Sequence, residues 1–211
     1  MTEISRKVAG YLLESKAVIL EPRNPFTWAS GWKSPIYCDN RITLSHPEIR
    51  DYIKEAFRIT ILNHFDTPDM IAGVATGAIA QGSLVADIMN LPFVYVRPSA
   101  KEHGRQNLIE GHLEPGQTVL VVEDLISTGG SSLNAVEALR KAGADVLGMV
   151  AIFSYGFEVA TENIRAAGVE LHTLTDYHIL IETALATGYI QKEESELLQR
   201  WREDPAGWKV K

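Results

Sequence analysis

Two adjacent acids, Glu123 and Asp124, end an apolar run and lead into Leu125-Ile126-Ser127-Thr128-Gly129-Gly130-Ser131-Ser132. Ionised carboxylates accept hydrogen bonds and donate none. They suit vicinal hydroxyls or a hard divalent cation. The stretch that follows suits the opposite charge. Gly129-Gly130-Ser131 opens a helical pattern, and helix N-termini carry free N–H groups and a partial positive charge. The glycines let backbone approach a ligand closely, and Ser127, Thr128, Ser131 and Ser132 add hydroxyl donors. Helix capping by Ser131 is the competing reading. The acids favour a ligand: beside a phosphate cradle they repel bare phosphate and accept a diol. A sugar phosphate satisfies both halves, so the stretch predicts a ribose 5-phosphate unit.

Such a site needs a frame that presents it. "DMIAGVA", "PFVYVR", "TVLVVE" and "ADVLGMVAIF" read as strands. "GAIAQGSLVADIMN" reads as a helix ended by Asn90 and Pro92, and "SSLNAVEALRKAG" as one with serine at its start and Gly143 just past its end. This alternation predicts an α/β fold with a mostly parallel sheet flanked by helices. In such sheets ligands bind beyond the carboxyl ends of strands. That rule points to "GVATGAIA", "RPSAKEHGRQNLIEG" and "EDLISTGGSS". Residues 2–17 carry Ile4, Val8, Tyr11 and Leu12 at helical spacing. "FTWASGWKSPIYCDN" reads as a hairpin about Ser30-Gly31, and residues 46–65 as a helix with Ser45 as a cap ahead of Pro47. The N-terminal helix and hairpin break the alternation. The expectation is one domain over 1–211, with a small hood at 1–45 and a core at 46–211.

Composition narrows the class. At 211 residues and 45% apolar the chain can bury one sizeable core. A net charge of -7 argues against nucleic acid and anionic membranes as partners. No apolar run approaches the roughly 18 residues of a membrane span, and the charged N-terminus lacks a signal-peptide core. The single cysteine, Cys38, cannot form an intrachain disulfide. A soluble cytoplasmic protein is expected. No G-x-G spacing and no Gly-Lys pair occur, which excludes the dinucleotide fingerprint and the Walker A loop. His46, His64, His112, His172 and His178 show no metal-ligand spacing and carry no assigned role. The loop after "PFVYVR" gathers Arg97, Lys101, His103 and Arg105 around Glu102. These cations suit an anionic leaving group; a solvated charged loop is the competing reading.

"VLVVEDLISTGGSS" resembles the 5-phosphoribosyl 1-diphosphate (PRPP) motif of type I phosphoribosyltransferases. "FTWASGWKSPIYCDNR" is similar to the N-terminal hood of orotate phosphoribosyltransferases, and "YVRPSAKEHGRQNLIEG" to their mobile catalytic loop. The three stretches stand in the family's order, between residues 26 and 132. The resemblance implies the type I phosphoribosyltransferase fold and the reaction of orotate with PRPP. The products are orotidine 5′-monophosphate and diphosphate, in pyrimidine synthesis. It also implies Mg²⁺ held mainly through PRPP, and a homodimer with shared active sites.

Carried over by position, the resemblance makes Lys101, His103 and Asp124 catalytic. Arg97, Lys101 and His103 fall on diphosphate-binding positions, and Glu123 and Asp124 on the acids facing the ribose. Leu125, Ile126, Ser127, Thr128, Gly129, Gly130 and Ser131 complete the PRPP stretch, with Leu125 and Ile126 structural in character. Ser127 also meets orotate, together with Ile36 and Tyr37 of the hood stretch Lys33 to Tyr37. Three departures stand out. Ala29 replaces a lysine found in one branch, Pro98 follows Arg97 where that branch has a second basic residue, and "IFSYGFE" lacks an orotate-contacting arginine.

The chemistry agrees. Displacing diphosphate from an anomeric carbon passes through an oxocarbenium-like state. Preorganised charge about the leaving group is then the main requirement, and no covalent nucleophile is needed. Two alternatives are a PRPP-sensing regulator that binds nucleic acid and a purine transferase. The acidic balance and the intact cationic loop oppose the first, and the hood stretch opposes the second.

Overall fold

The computed structural model describes residues 2–27, 33–99, 108–205 and 207–208. The chain divides into two compact units, Arg50–Leu174 and Met1–Ile49 with Thr175–Lys211. The first boundary lies close to the expected one at residue 45. The C-terminal segment, expected in the core, groups instead with the N-terminal segment.

Helix α1 (Thr2–Glu14) buries Val8, Ala9, Leu12 and Leu13, a stripe at helical spacing. Strand β1 (Val18–Leu20) follows, then the short antiparallel pair β2 (Phe26–Thr27) and β3 (Lys33–Ser34). The expected hairpin is therefore present at its base; its Ser30-Gly31 turn lies outside the described residues. Strand β4 (Ile36–Cys38) leaves that hairpin and pairs antiparallel with β1, with Leu20 opposite Ile36. A 3-10 helix spans Asn40–Ser45, opened by the Asp39 carboxylate accepting from the Arg41 N–H.

Helix α2 runs Pro47–His64. Ser45 does not cap it as expected. Ser45 closes the 3-10 helix, and His46 stands between, held extended at φ -114° and ψ 97°. Proline disfavours the helical region for the residue before it, which accounts for that break.

The larger unit carries β5 (Met70–Val74), α3 (Ile79–Met89), β6 (Phe93–Val96), β7 (Ile109–Glu110) and β8 (Thr118–Ile126). After them come α4 (Gly130–Lys141), β9 (Asp145–Ser154), α5 (Glu158–Ala166) and β10 (Leu171–Asp176). Asn90 ends α3 in the left-handed region at φ 54°. The sheet order is β10-β9-β8-β5-β6-β7. The β5/β6, β5/β8 and β8/β9 pairs are parallel, and β7 returns antiparallel along β6. Strand β8 thus has a neighbour on each edge, and its residues Val119 to Val122 are at most 1% exposed. A strand covered on both faces reads as a continuous apolar run, which is what this sequence shows. Each such side chain contributes about 1.5–3 kcal/mol of burial.

Helices α6 (Tyr177–Ala186) and α7 (Lys192–Glu203) belong to the smaller unit. Trp201 is fully buried against Tyr177, whose hydroxyl donates to the Leu198 carbonyl at 2.9 Å. The C-terminal tail therefore docks within its own unit. Among the described residues no helix is long and apolar enough to cross a membrane.

Candidate active site

The carboxyl end of β8 separates the two acids. Strand neighbours point to opposite faces. Glu123 turns inward and is 3% exposed. One of its oxygens accepts from Ser132 Oγ at 2.7 Å and the other from the Asp124 N–H at 2.9 Å. Burial, followed by the nearby Asp124 charge, pushes its carboxyl up to about 8. Burial thus favours the protonated form of Glu123 over the charged one. The sequence reading set Glu123 beside Asp124 facing the ribose; here its side chain is buried and bonded to Ser132. Ser132, in the first turn of α4, holds the inward acid, a role the sequence reading did not give it.

Asp124 points the other way and is half-buried. Its carboxyl group lies so close to Gly77 that a Cβ there would collide with it. Gly77 sits in the turn after β5, and β5 is the parallel neighbour of β8. The peptide bond between Ala75 and Thr76 in this turn is cis. Sequence reasoning singled out this loop but no residue in it. The available signal was a glycine three residues past a buried strand, at a carboxyl end.

Beyond the acids, Leu125 pairs with Phe153 and Ile126 with Ser154 of β9, and the Ile126 side chain is fully buried. Both are strand residues, as their structural character suggested. Ser127 is half-buried and Thr128 is exposed. Asn163 of α5 donates to the Thr128 carbonyl at 3.4 Å. Gly129 is the N-cap of α4, at φ 82° and ψ -3°, with no side-chain cap bond. The capping reading of Ser131 therefore fails: Ser131 lies inside the helix and is exposed. The bare first turn of α4 keeps the unbonded N–H groups that suit a phosphate.

Arg97 stands at the end of β6. Its N–H donates to the Leu108 carbonyl at 2.8 Å, and its guanidinium meets Glu110 of β7 at 3.4 Å. It anchors the stem of the cationic loop, facing an acid that the sequence reading left without a role. Lys101 and His103 lie outside the described residues, as do Trp28, Ala29 and Trp32.

In the smaller unit, Ile36 is fully buried, and its backbone is bracketed by Ser34 Oγ, which donates to its carbonyl at 2.8 Å. Its N–H in turn donates to Ser34 Oγ at 3.3 Å, so the residue is enclosed, backbone included. Tyr37 is 41% exposed and tilts against Phe26 with ring centroids 5.6 Å apart. Cys38 is half-buried beside Asn40 Oδ1 at 3.4 Å.

A central parallel strand ends here in one outward carboxylate, beside a glycine-capped helix N-terminus. That arrangement defines an enzyme class built to hold sugar phosphates. Residues 42–176 match the family model described as phosphoribosyl transferase domain. The chain is 59% identical over 208 residues to an orotate phosphoribosyltransferase of Bacteroides thetaiotaomicron, covering 99% of this chain and 98% of that one. It superposes on a UMP synthase structure from Leishmania donovani with TM-score 0.80 at 27% identity, over 94% of this chain. It spans 42% of that longer chain. It also superposes on an orotate phosphoribosyltransferase from Aeropyrum pernix with TM-score 0.76 at 28% identity, over 87% of this chain and 99% of that one. The chain belongs to the orotate phosphoribosyltransferase family and has the type I phosphoribosyltransferase fold.

Proposed function

We infer that this protein transfers the 5-phosphoribosyl group from PRPP to orotate, releasing diphosphate and orotidine 5′-monophosphate. This is a step of pyrimidine nucleotide synthesis, placed here in the cytoplasm. The observation that carries the choice of base is the 59% identity over almost the full length of an orotate phosphoribosyltransferase.

The residues take the following parts. The first turn of α4, with Ser127, Thr128 and Ser131, receives the 5-phosphate. Asp124 accepts from the ribose diol and complements the positive charge that develops on the sugar. Glu123, neutral and bonded to Ser132, ties the end of β8 to α4 and so sets the distance between acid and phosphate loop. Arg97, Lys101 and His103 meet the diphosphate. Ser127 and the hood residues Ile36 and Tyr37 border orotate, whose N1 attacks once it is oriented.

Mg²⁺ fits this donor set in a limited way. Asp124 is the outward carboxylate, and the lack of a side chain at Gly77 is what lets it take that position. Mg²⁺ prefers oxygen ligands, keeps several waters and is commonly bound through one or two carboxylates plus substrate phosphates. Asp124 would hold it, with most ligands coming from PRPP. When bound, the ion neutralises charge on the departing diphosphate. A homodimer in which the loop carrying Lys101 closes over the partner's PRPP completes the proposal.

The test incubates the protein with PRPP and Mg²⁺ and offers orotate, uracil, adenine and hypoxanthine in turn. Loss of orotate absorbance that depends on PRPP and Mg²⁺ is expected. Turnover of a purine with none of orotate would overturn the assignment.

A further inference from the structure

A second cluster of ligating side chains lies in the larger unit, away from the phosphate loop. Its members are His64, Glu170 and His172. They sit far apart in sequence, and no spacing motif links them. The fold joins them through two elements. His64 is the last residue of α2. Glu170 and His172 flank the start of β10, an edge strand separated from β8 by β9. Two residues apart on an extended chain, their side chains share one face. The Glu170 carbonyl accepts from the Met149 N–H of β9 at 2.8 Å, so the sheet fixes the backbone of this pair.

The side chains converge closely. The His64 and His172 rings stack with centroids 3.7 Å apart and planes 21° from parallel. His172 Nε2 lies 2.7 Å from Glu170 Oε1. The edge of Phe65 supports the His172 ring at 5.4 Å. Phe65 in turn occupies space that a side chain at Gly148 would fill. One ligand atom from each of the three residues lies within 4.8 Å of the others. Both histidines are partly buried and Glu170 is exposed, so the cluster has a supported wall and a mouth open to solvent.

We propose that His64, Glu170 and His172 form a binding site for one divalent transition-metal ion of the zinc class, clamping the end of α2 to edge strand β10. Two imidazoles and a carboxylate are a three-ligand zinc donor set that leaves a fourth position for water. Imidazole favours zinc, nickel and copper, whereas Mg²⁺ takes oxygens, so this site is chemically distinct from the one serving PRPP. Bonds of about 2.0–2.1 Å to a tetrahedral ion set ligand atoms about 3.4 Å apart. The present separations, up to 4.8 Å, exceed that by at most about 1.4 Å. Rotation of the imidazoles out of their stack closes it, with the strand backbone held in place by β9. The two rings then turn edges, rather than faces, toward a common point.

Cobalt(II) is the probe, because it occupies zinc sites and its visible absorption reports coordination geometry. Metal-free protein is titrated with Co²⁺ in the absence of PRPP and Mg²⁺. One ion per chain is expected, with the strong visible band of a four-coordinate site, and Zn²⁺ should abolish the band stoichiometrically. His172→Ala and Glu170→Ala should each weaken binding by more than the roughly 10–100-fold that loss of an outer-shell partner brings. His112→Ala and His178→Ala remove the histidines of two other His–Glu pairs, with Glu114 and Glu182, and should bind Co²⁺ like wild type. Glu170 is exposed, so its variant remains decisive even if His172→Ala unfolds. No band in wild type, or a band equally strong in Glu170→Ala, would overturn the site.

Discussion

Glu123 should make the stability of this fold fall as pH rises, and Glu123→Gln should remove that dependence. The carboxyl has an ordinary value of 4.5 and is pushed up to about 8 in the folded protein. Below 4.5 both folded and unfolded chains hold the proton, and no penalty exists. Between 4.5 and about 8 the folded chain keeps the proton and the unfolded chain has lost it. Unfolding then releases a proton, so rising pH favours the unfolded state. Above about 8 both are ionised and the folded state bears the full penalty of a buried charge. A carboxyl moved from 4.5 to about 8 sets a ceiling of about 5 kcal/mol, at 1.36 kcal/mol for each tenfold in proton affinity. Relaxation and water penetration reduce it, so a fall of about 2–4 kcal/mol is expected.

Glutamine cannot ionise. Its amide pairs imperfectly with Ser132 Oγ and the Asp124 N–H, a loss of about 1–3 kcal/mol that does not vary with pH. Urea unfolding at intervals from pH 5 to 9 measures both proteins. Their difference isolates Glu123 from the other acids. Wild type should be the more stable at pH 5 and lose that lead by pH 9. Ser132→Ala gives the sign a second check. The serine hydroxyl lowers the Glu123 value, so its removal should carry the window to higher pH. A difference between wild type and Glu123→Gln that stays constant from pH 5 to 9 would refute the buried, neutral acid.

Three further outcomes are expected. Asp124→Asn should keep the fold and lose about 10²–10³ in kcat/KM, the scale of one preorganised electrostatic group; wild-type turnover of orotate would remove its assigned role. Gly129→Ala should lower stability by about 1–2 kcal/mol, because φ 82° is strained for an L side chain. Ile164 lies at an ordinary 3.5 Å from the added methyl, so packing adds little, and an unchanged urea midpoint would contradict the assigned conformation. Mixing Lys101→Ala with Asp124→Asn after dissociation should return roughly a quarter of wild-type sites if the loop is shared, since half of randomly paired dimers are mixed. Demonstrated heterodimers without activity would reject sharing.

The central strands were legible because β5 and β8 have partners on both edges and covered faces, which leaves unbroken apolar runs such as Val119 to Val122. The phosphate loop was legible because its requirements are local: small residues, hydroxyls and a helix start. What sequence could not show was decided by partners far along the chain. The pairing of β1 with β4 depends on Leu20 meeting Ile36, and three residues offer little pattern. His64 and His172 carry no spacing signal because a helix end and a strand start bring them together. The inward turn of Glu123 depends on Ser132, which reads in sequence as one more hydroxyl of the loop. Asp124 was placed from chemistry alone, but the glycine that makes room for it, Gly77, belongs to a different strand's turn.

The doubled acid has a geometric consequence. Adjacent residues of a strand point to opposite faces, so the end of a central strand cannot direct both carboxylates to one ligand while the pleat continues. In β8 the ladder to β9 continues through Ile126, beyond both acids. One acid must therefore enter the core, where an unpaired ion is costly and a protonated, hydrogen-bonded carboxyl is tolerated. Ser132 and the Asp124 N–H supply those bonds. The outward face then carries one charge rather than two. A ligand that brings a phosphate and a diphosphate close to this face is repelled less by one carboxylate than by a pair, while the diol still finds an acceptor. The inward acid fixes the outward one through the Asp124 N–H, so the same dipeptide supplies the charge and its orientation.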